Sequence, residues 1–400
     1  MPAVIGVETG SFARTAVMAA VLTAGCAPAA PPSARPVDIV ASDGVMLKGT
    51  LFPVVSTVPS GPAVLLLHQC DDRRTVWDPL GPRLAAAGIT ALSVDFRGYG
   101  ESGGTPHDTL SGEQQAAVTA KAWPGDIDAA FAFLSRQSGV DATRLGAAGG
   151  SCGVPHAIQL ARRHATVKAL ALLAGSADRE ARTFLEAPGA PPVFTAAAAD
   201  DRYADFVLVS SWLFGISPRT ESRFAQYRDG GHAAVIFRTH PDLADLIAQW
   251  FGAVLANPPT SLPSTNGVPL APAVLEGLRT IDRPGGAASG LVRRASPTAA
   301  STDPVLPEYI VNWLGYEHLA LTDNSAGLDI MKLNAASHPA SPNAQDSLGD
   351  AYLAAGDTAS ALAAARRTLE LLAADTADTP QRKAVIRAAA EAKIARLSGR

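Results

Sequence analysis

Apolar positions along the chain fall into short runs separated by turn-forming residues, and the runs change character from one end to the other. Residues 37–41 and 45–51 read as two strands joined by Ser42-Asp43-Gly44, a turn-forming set. Residues 63–68, from Ala63 to His68, are almost unbroken apolar sequence, the pattern of a strand buried on both faces of a parallel sheet. The spacing then predicts a helix over 80–87 that stops at Gly88, a strand over 89–95, a helix over 126–136 and a strand over 144–149. A helix over 154–163 follows, then strands over 167–173, 192–197 and 223–227, and an amphipathic helix over 243–255. Strands and helices that alternate in this way imply an α/β fold, a mostly parallel sheet wrapped by right-handed crossovers. The first two strands are expected to form its antiparallel edge.

Past this unit the composition shifts. Residues 257–307 are rich in Pro, Gly, Ser, Thr and Ala and read as a linker with one modest helix around 271–281. Residues 308–400 carry an internal repeat: Leu314-Gly315 and Leu348-Gly349 stand 34 residues apart. Pro339 lies 24 residues after Gly315, Tyr352 three after Gly349, and Ala361 and Ala365 are small enough to let paired helices approach. This resembles the tetratricopeptide repeat, a helix pair of that period, with departures at Gly327, where a small Ala is usual, and at Ala373, where a closing proline is expected. A last helix over 379–397 would cap the stack. Two repeats are few for independent stability, so the array is expected to lean on the linker helix or on the first domain.

The amino terminus reads as an address rather than as structure. Arg14 leads into an apolar run over 16–22 and then Thr23-Ala24-Gly25-Cys26, too short to span a bilayer but patterned as a secretory signal. Ending on Cys26, it resembles a bacterial lipoprotein signal, which implies export and lipidation at that cysteine; Thr23 and Glu8 depart from the usual pattern, and an ordinary cleaved signal is the alternative. Residues 27–36 are an Ala/Pro/Ser-rich spacer. The organisation expected is therefore signal 1–26, spacer 27–36, α/β domain 37–256, linker 257–307 and helical repeats 308–400.

Charge excludes one class of partner. The chain has 33 Lys+Arg against 37 Asp+Glu, a formal net charge of −4, so it offers no basic field for nucleic acid. No zinc-type Cys/His spacing, HExxH helix or phosphate-cradling loop occurs, and neither metal nor other cofactor is expected. A membrane is expected to enter only through the lipid anchor.

The strongest chemical signal is Gly149-Gly150-Ser151-Cys152-Gly153, between an apolar strand and a helix. A serine on so sharp a turn needs glycines beside it, and its hydroxyl then stands at the positive end of the following helix. With this motif, Asp95-Phe96-Arg97-Gly98-Tyr99-Gly100-Glu101-Ser102 and the element order, residues 37–256 resemble the α/β-hydrolase superfamily, close to its dienelactone-hydrolase-like branch. The resemblance implies a catalytic triad in the chain order nucleophile, acid, histidine. Ser151 takes the first place. Asp201 fits the acid position better than Asp200, and both stand within reach of it. His232, preceded by two glycines, fits the base better than His240, which precedes Pro241 at a helix start. The Gly-x-Ser-x-Gly frame also argues against Cys152 as nucleophile, one residue past the apex. Asp95 and Arg97 are expected to brace a loop.

The same resemblance implies an oxyanion hole of two backbone N–H groups, from Cys152 and from Cys70 in the loop after the first buried strand. That loop reads His68-Gln69-Cys70 where the family has His-Gly, and the Gln69 side chain either adds a contact or faces solvent. Cys70 and Cys152 would then share one pocket. In an oxidising compartment a disulfide between them is one expectation, and two buried free thiols are the other. Two functions stay open. One is a serine hydrolase that cleaves a small acyl ester or related bond at an open site, since 174–191 leaves little room for a large cap. The other is a weak or inactive hydrolase-fold protein whose repeats bind a peptide or protein partner.

Overall fold

The computed structural model describes residues 34–54, 60–203, 205–256, 258–295, 305–376 and 378–399. The signal segment with Cys26, and the spacer up to residue 33, lie outside the described residues. Eight strands form one sheet: β1 Arg35–Val40, β2 Met46–Phe52, β3 Gly61–Leu67, β4 Thr90–Val94, β5 Val140–Gly150, β6 Val167–Leu173, β7 Val193–Ala198 and β8 Arg223–Tyr227, in the order β1-β2-β4-β3-β5-β6-β7-β8. β2 pairs antiparallel with β1 and β4, and every pair from β4 to β8 is parallel. This is the sheet of the α/β-hydrolase fold, with the antiparallel pair at the edge as the sequence predicts. Burial follows position. On the edge strand β1 only Val37 and Ile39 are buried, whereas all five residues of β4 and all six of β7 are.

Helices cover both faces. Gly146 on β5 faces Phe251 of α7 (Asp242–Leu255), where a Cβ would stand 2.8 Å from the ring, and Gly149 faces the start of α4 (Gly153–Arg163) on the opposite side. α1 (Gly81–Ala86) packs with α7, and α3 (Trp123–Ser135) with α4. Fully buried Trp77, Trp123 and Trp250 and the Leu65–Leu67 run fill the layers between, each large apolar side chain contributing about 1.5–3 kcal/mol on burial.

Three helices of this region escape a reading by periodicity. α2 (Gly112–Lys121) buries none of its residues, although Ser111 and Gln114 form a capping box at its start. α5 (Arg179–Glu186) lies in the interval expected to be short and cap-free. α6 (Phe206–Ile216) is apolar nearly all round because β7, β8 and α5 surround it, so no polar stripe marks it as a helix.

The segment expected to be mostly linker is built in. Gly267 N–H donates to Phe224 O (2.9 Å), and the Asn266 side chain exchanges bonds with the backbone of Gln226 (3.0 and 2.8 Å), which covers the outer edge of β8. A Cβ at Gly267 would lie 2.3 Å from Phe224, so no other residue fits there. Two helices follow instead of one, α8 (Pro272–Asp282) and α9 (Gly286–Ala295). Leu275 of α8 packs over Gly215, and Leu306 over Gly277.

Among the described residues, the remainder is an array of five helices: α10 Glu308–Ala320, α11 Asn324–Ser337, α12 Pro342–Ala354, α13 Thr358–Ala374 and α14 Pro380–Ser398. α12 begins 34 residues after α10, and α13 begins 34 after α11. Asp323 and Asp357, also 34 apart, each cap a second helix through the side chain. Glycines set the spacing within the first pair, since Met331 fills the place of a Cβ at Gly315 and Leu319 that at Gly327. The buried Lys393 of α14 pairs with Asp346 and Asp350 of α12, both at 2.9 Å. The array and the sheet region share one core, which Leu306, Ile310, Val311, Leu314 and Leu333 join from the helical side. Among the described residues no helix is long and apolar enough to cross a membrane.

Candidate active site

The carboxyl end of β5 turns directly into α4, and Ser151 stands at the apex with φ +50°, in the left-handed region that side chains rarely occupy. Two hydrogen bonds hold it there: Ser151 N–H donates to Leu173 O (2.9 Å), and Val154 N–H donates to Ser151 O (3.0 Å). The glycines leave no choice of residue. A Cβ at Gly149 would lie 2.3 Å from Gly153 O, and one at Gly153 would lie 2.5 Å from Leu67 O.

His232 follows β8 and is 6% exposed. Its Nδ1 lies 2.6 Å from Asp201 Oδ2, and the other Asp201 oxygen accepts Tyr203 N–H (3.0 Å). Asp200 points elsewhere and accepts the N–H groups of Gly230 (3.2 Å) and Gly231 (2.8 Å), which shapes the loop that leads to the histidine. The two neighbouring aspartates thus divide the work: one contacts the imidazole and the other fixes its loop. His240 bonds Asp229 (2.8 Å), away from this pair. The Tyr203 ring stands edge-on to the imidazole with centroids 4.5 Å apart, and Phe206 is 5.3 Å away.

The elbow and the histidine loop are in contact, since a Cβ at Gly150 would meet Ala233 Cβ at 3.4 Å. Among the described residues neither Ser151 Oγ nor His232 Nε2 makes a hydrogen bond, so the structure brings their loops together without joining the two atoms. In hydrolytic sites without substrate such bonds are often long and tighten on binding.

Cys70 and Cys152 are joined in a disulfide with Cα atoms 5.8 Å apart. It ties the loop after β3 to the elbow at the two residues whose N–H groups are the candidate oxyanion donors, and neither N–H has an acceptor among the described residues. The peptide between Gln69 and Cys70 is fixed from behind. His68 Nε2 accepts Phe96 N–H (3.0 Å), so Nδ1 carries the proton and donates to Gln69 O (2.6 Å). Because a trans peptide points its C=O and N–H in opposite directions, the Cys70 N–H is turned away from His68. Burial pushes His68 down to about 4, which keeps it neutral in this role.

No family model matches the chain. Two curated relatives from Mycobacterium tuberculosis, from strains CDC 1551 / Oshkosh and H37Rv and both described only as uncharacterized proteins, are 36% identical over 130 residues, 32% of this chain and 42% of theirs. The chain thus spans about two fifths of the length of the curated relatives it matches. Among solved structures, the DcsB complex with its substrate analogue is 16% identical and covers 56% of this chain and 100% of its own, with a TM-score of 0.45. The Pyrococcus furiosus esterase Pf2001 is 17% identical over 56% of this chain and 94% of its own (TM-score 0.43), and the 2,6-dihydroxy-pseudo-oxynicotine hydrolase 17% identical over 60% and 73% (TM-score 0.43). The fold assignment rests on the strand order and the elbow.

Other charged residues of the motifs are braces. Arg97 bridges Asp43 (2.5 Å) and Asp126 (2.7 Å), and the buried Asp95 pairs with Arg74, which also reaches Glu101. Gln69, for which solvent exposure was one expectation, is 1% exposed and bonded at both ends. Tyr203 and Phe206 stand against the His232 ring and Asp71 bonds Tyr203; none carries a motif, and their only sequence signal is that they lie within five residues of Cys70 or Asp201. Among the described residues no group of three or more His, Cys, Asp and Glu side chains is placed to hold a metal ion.

Proposed function

We propose that this protein is a serine hydrolase that cleaves carboxylic esters or related acyl bonds, with Ser151 as nucleophile, His232 as general base and Asp201 as the acid that orients it. The observation that carries the reading is the pairing of two features: a serine held at φ +50° on a glycine-framed turn, and a neighbouring loop on which Asp201 engages His232 Nδ1 and leaves Nε2 free. With the proton on Nδ1, the Nε2 lone pair can take the Ser151 proton as Oγ attacks the substrate carbonyl carbon. The Cys70 and Cys152 N–H groups receive the negative charge that forms on the carbonyl oxygen, each contributing about 10²–10³ in rate. Collapse expels the alcohol, which takes the proton from His232, and water repeats the sequence on the acyl-enzyme. The disulfide supports an oxidising compartment and hence export.

The test is labelling with a fluorophosphonate probe, with the adduct located by peptide mass in the protein and in its S151A variant. An adduct on Ser151 that is absent from S151A is expected. A folded protein that takes up no probe would overturn the reading.

A further inference from the structure

Ser151 and His232 hang from strands that do not touch. β5 and β8 are separated by β6 and β7, roughly 14 Å at the usual spacing of about 4.8 Å between strands. No ladder bond therefore sets the histidine loop against the elbow, and the register of the two depends on cross-links above the sheet.

Gln69 supplies one. Its Oε1 accepts Ala234 N–H (3.0 Å), and its Nε2 donates to Asp71 Oδ1 (2.9 Å). Ala234 lies in the first turn of a 3₁₀ segment, Ala233–Arg238, that starts directly after His232. An N–H in a first turn has no partner within its own helix, so a side chain from another loop caps it. The turn needs such support, because Ala233 is held at φ +50°. On the other side, Asp71 Oδ2 accepts the Tyr203 hydroxyl (2.9 Å) and Arg202 (3.0 Å), and the Tyr203 ring covers an edge of the imidazole. A Cβ at Gly150 would stand 3.6 Å from Gln69 Oε1, so the glutamine amide lies between the elbow and the histidine loop.

We infer that Gln69 is a positioning residue, which holds the His232 loop at working distance from Ser151 through Ala234 N–H while Asp71 and Tyr203 close a bracket around the imidazole. The inference rests on the triad reading above. It also gives the change from the family's glycine a use: a side chain at residue 69 does what a glycine cannot.

The experiment compares full-length wild type, Q69A, Q69E and D71A in the rate of fluorophosphonate labelling at Ser151 and in the hydrolysis of p-nitrophenyl acetate across pH, with thermal melts alongside. Misplacement of a base by about 1 Å costs on the order of 100-fold, so Q69A is expected to lose roughly 10- to 100-fold in labelling rate and in kcat, with KM little changed. Q69E keeps the acceptor for Ala234 N–H and recovers part of the loss at low pH. The recovery fades as pH rises and the introduced carboxyl ionises opposite Asp71, a limb absent from wild type. Labelling of Q69A at the wild-type rate with the wild-type pH profile would overturn the inference. If Q69A does not fold, D71A decides, with a several-fold loss expected and an unchanged rate fatal. An unlabelled wild type would instead overturn the triad reading, so the two failures are distinct.

Discussion

At the carboxyl edge of the sheet, His232 engages Asp201 at Nδ1 and leaves Nε2 without a hydrogen bond among the described residues. At the seam between the sheet region and the helical array, the buried His318 has both nitrogens engaged. Nδ1 faces Asp323 (3.1 Å), and Nε2 faces Arg179 (2.6 Å) and Asp282 (3.2 Å). Around it Arg182, with a side chain 6% exposed, bonds Glu317 (2.6 Å) and Asp282 (3.5 Å) and lies 4.7 Å over the Trp212 ring. The comparison teaches how one residue type is put to two uses. A network of charged side chains that engages both imidazole nitrogens fastens α5, α8 and α10 together. A pair with one nitrogen left open, beside a strained serine, is what the proposed proton transfer requires.

The largest effects test the open pair. H232A is expected to lower kcat/KM for an ester by about 10⁴-fold or more, and D201N by about 10³- to 10⁴-fold, with melts close to wild type. D200N, which loosens only the glycine loop, should lose roughly tenfold or less. Equal losses for the two aspartate variants would erase the division of labour drawn above.

At the seam the signs reverse. E317A removes the main partner of the buried Arg182 and is expected to cost about 3–5 kcal/mol of stability, as a broken buried ion pair does, while Ser151 keeps its labelling rate in the folded protein. Denaturant unfolding measures the first and probe kinetics the second. A stable variant would mean that water replaces the lost carboxylate.

The most gradual effect, spread over several pH units, concerns imidazoles that hydrogen-bond no carboxylate among the described residues. Burial pushes His68 and His156 down to about 4 from the ordinary 6.5. The folded state then binds protons less readily than the unfolded chain, so stability is full above about pH 6.5 and falls as pH drops toward 4, by on the order of 3 kcal/mol for each group. Unfolding free energies at pH 7, 5.5 and 4.5 should decline in wild type and less steeply in H156Q. A flat profile would contradict the neutral state assigned to these rings.

Much of the frame was legible because it follows from local requirements. Glycines at 149 and 153 are forced by backbone contacts of 2.3 and 2.5 Å, and a turn that tight announces its serine. The 34-residue period emerges in the helix starts because each pair repeats the same cap and the same small residues. α6 was not legible, since a helix apolar on every side has no stripe to read. Nor was the role of residues 257–295. Pro- and Gly-rich composition reads as linker, yet Gly267 and Asn266 are there because the edge of β8 admits nothing larger and needs its backbone groups paired.

By itself the sequence determined the alternation of strands and helices, the glycine-framed turn that carries Ser151, and the helical period, all of which depend on neighbours close along the chain. Only the tertiary structure decided that Asp201 rather than Asp200 meets His232, that Gln69 turns inward to Ala234, and that Glu317 closes on Arg182. Those contacts join residues 31, 165 and 135 positions apart. Their partners are chosen by which loops the sheet order brings to one edge and by the cost of leaving a buried polar group unpaired, and neither is written in local pattern.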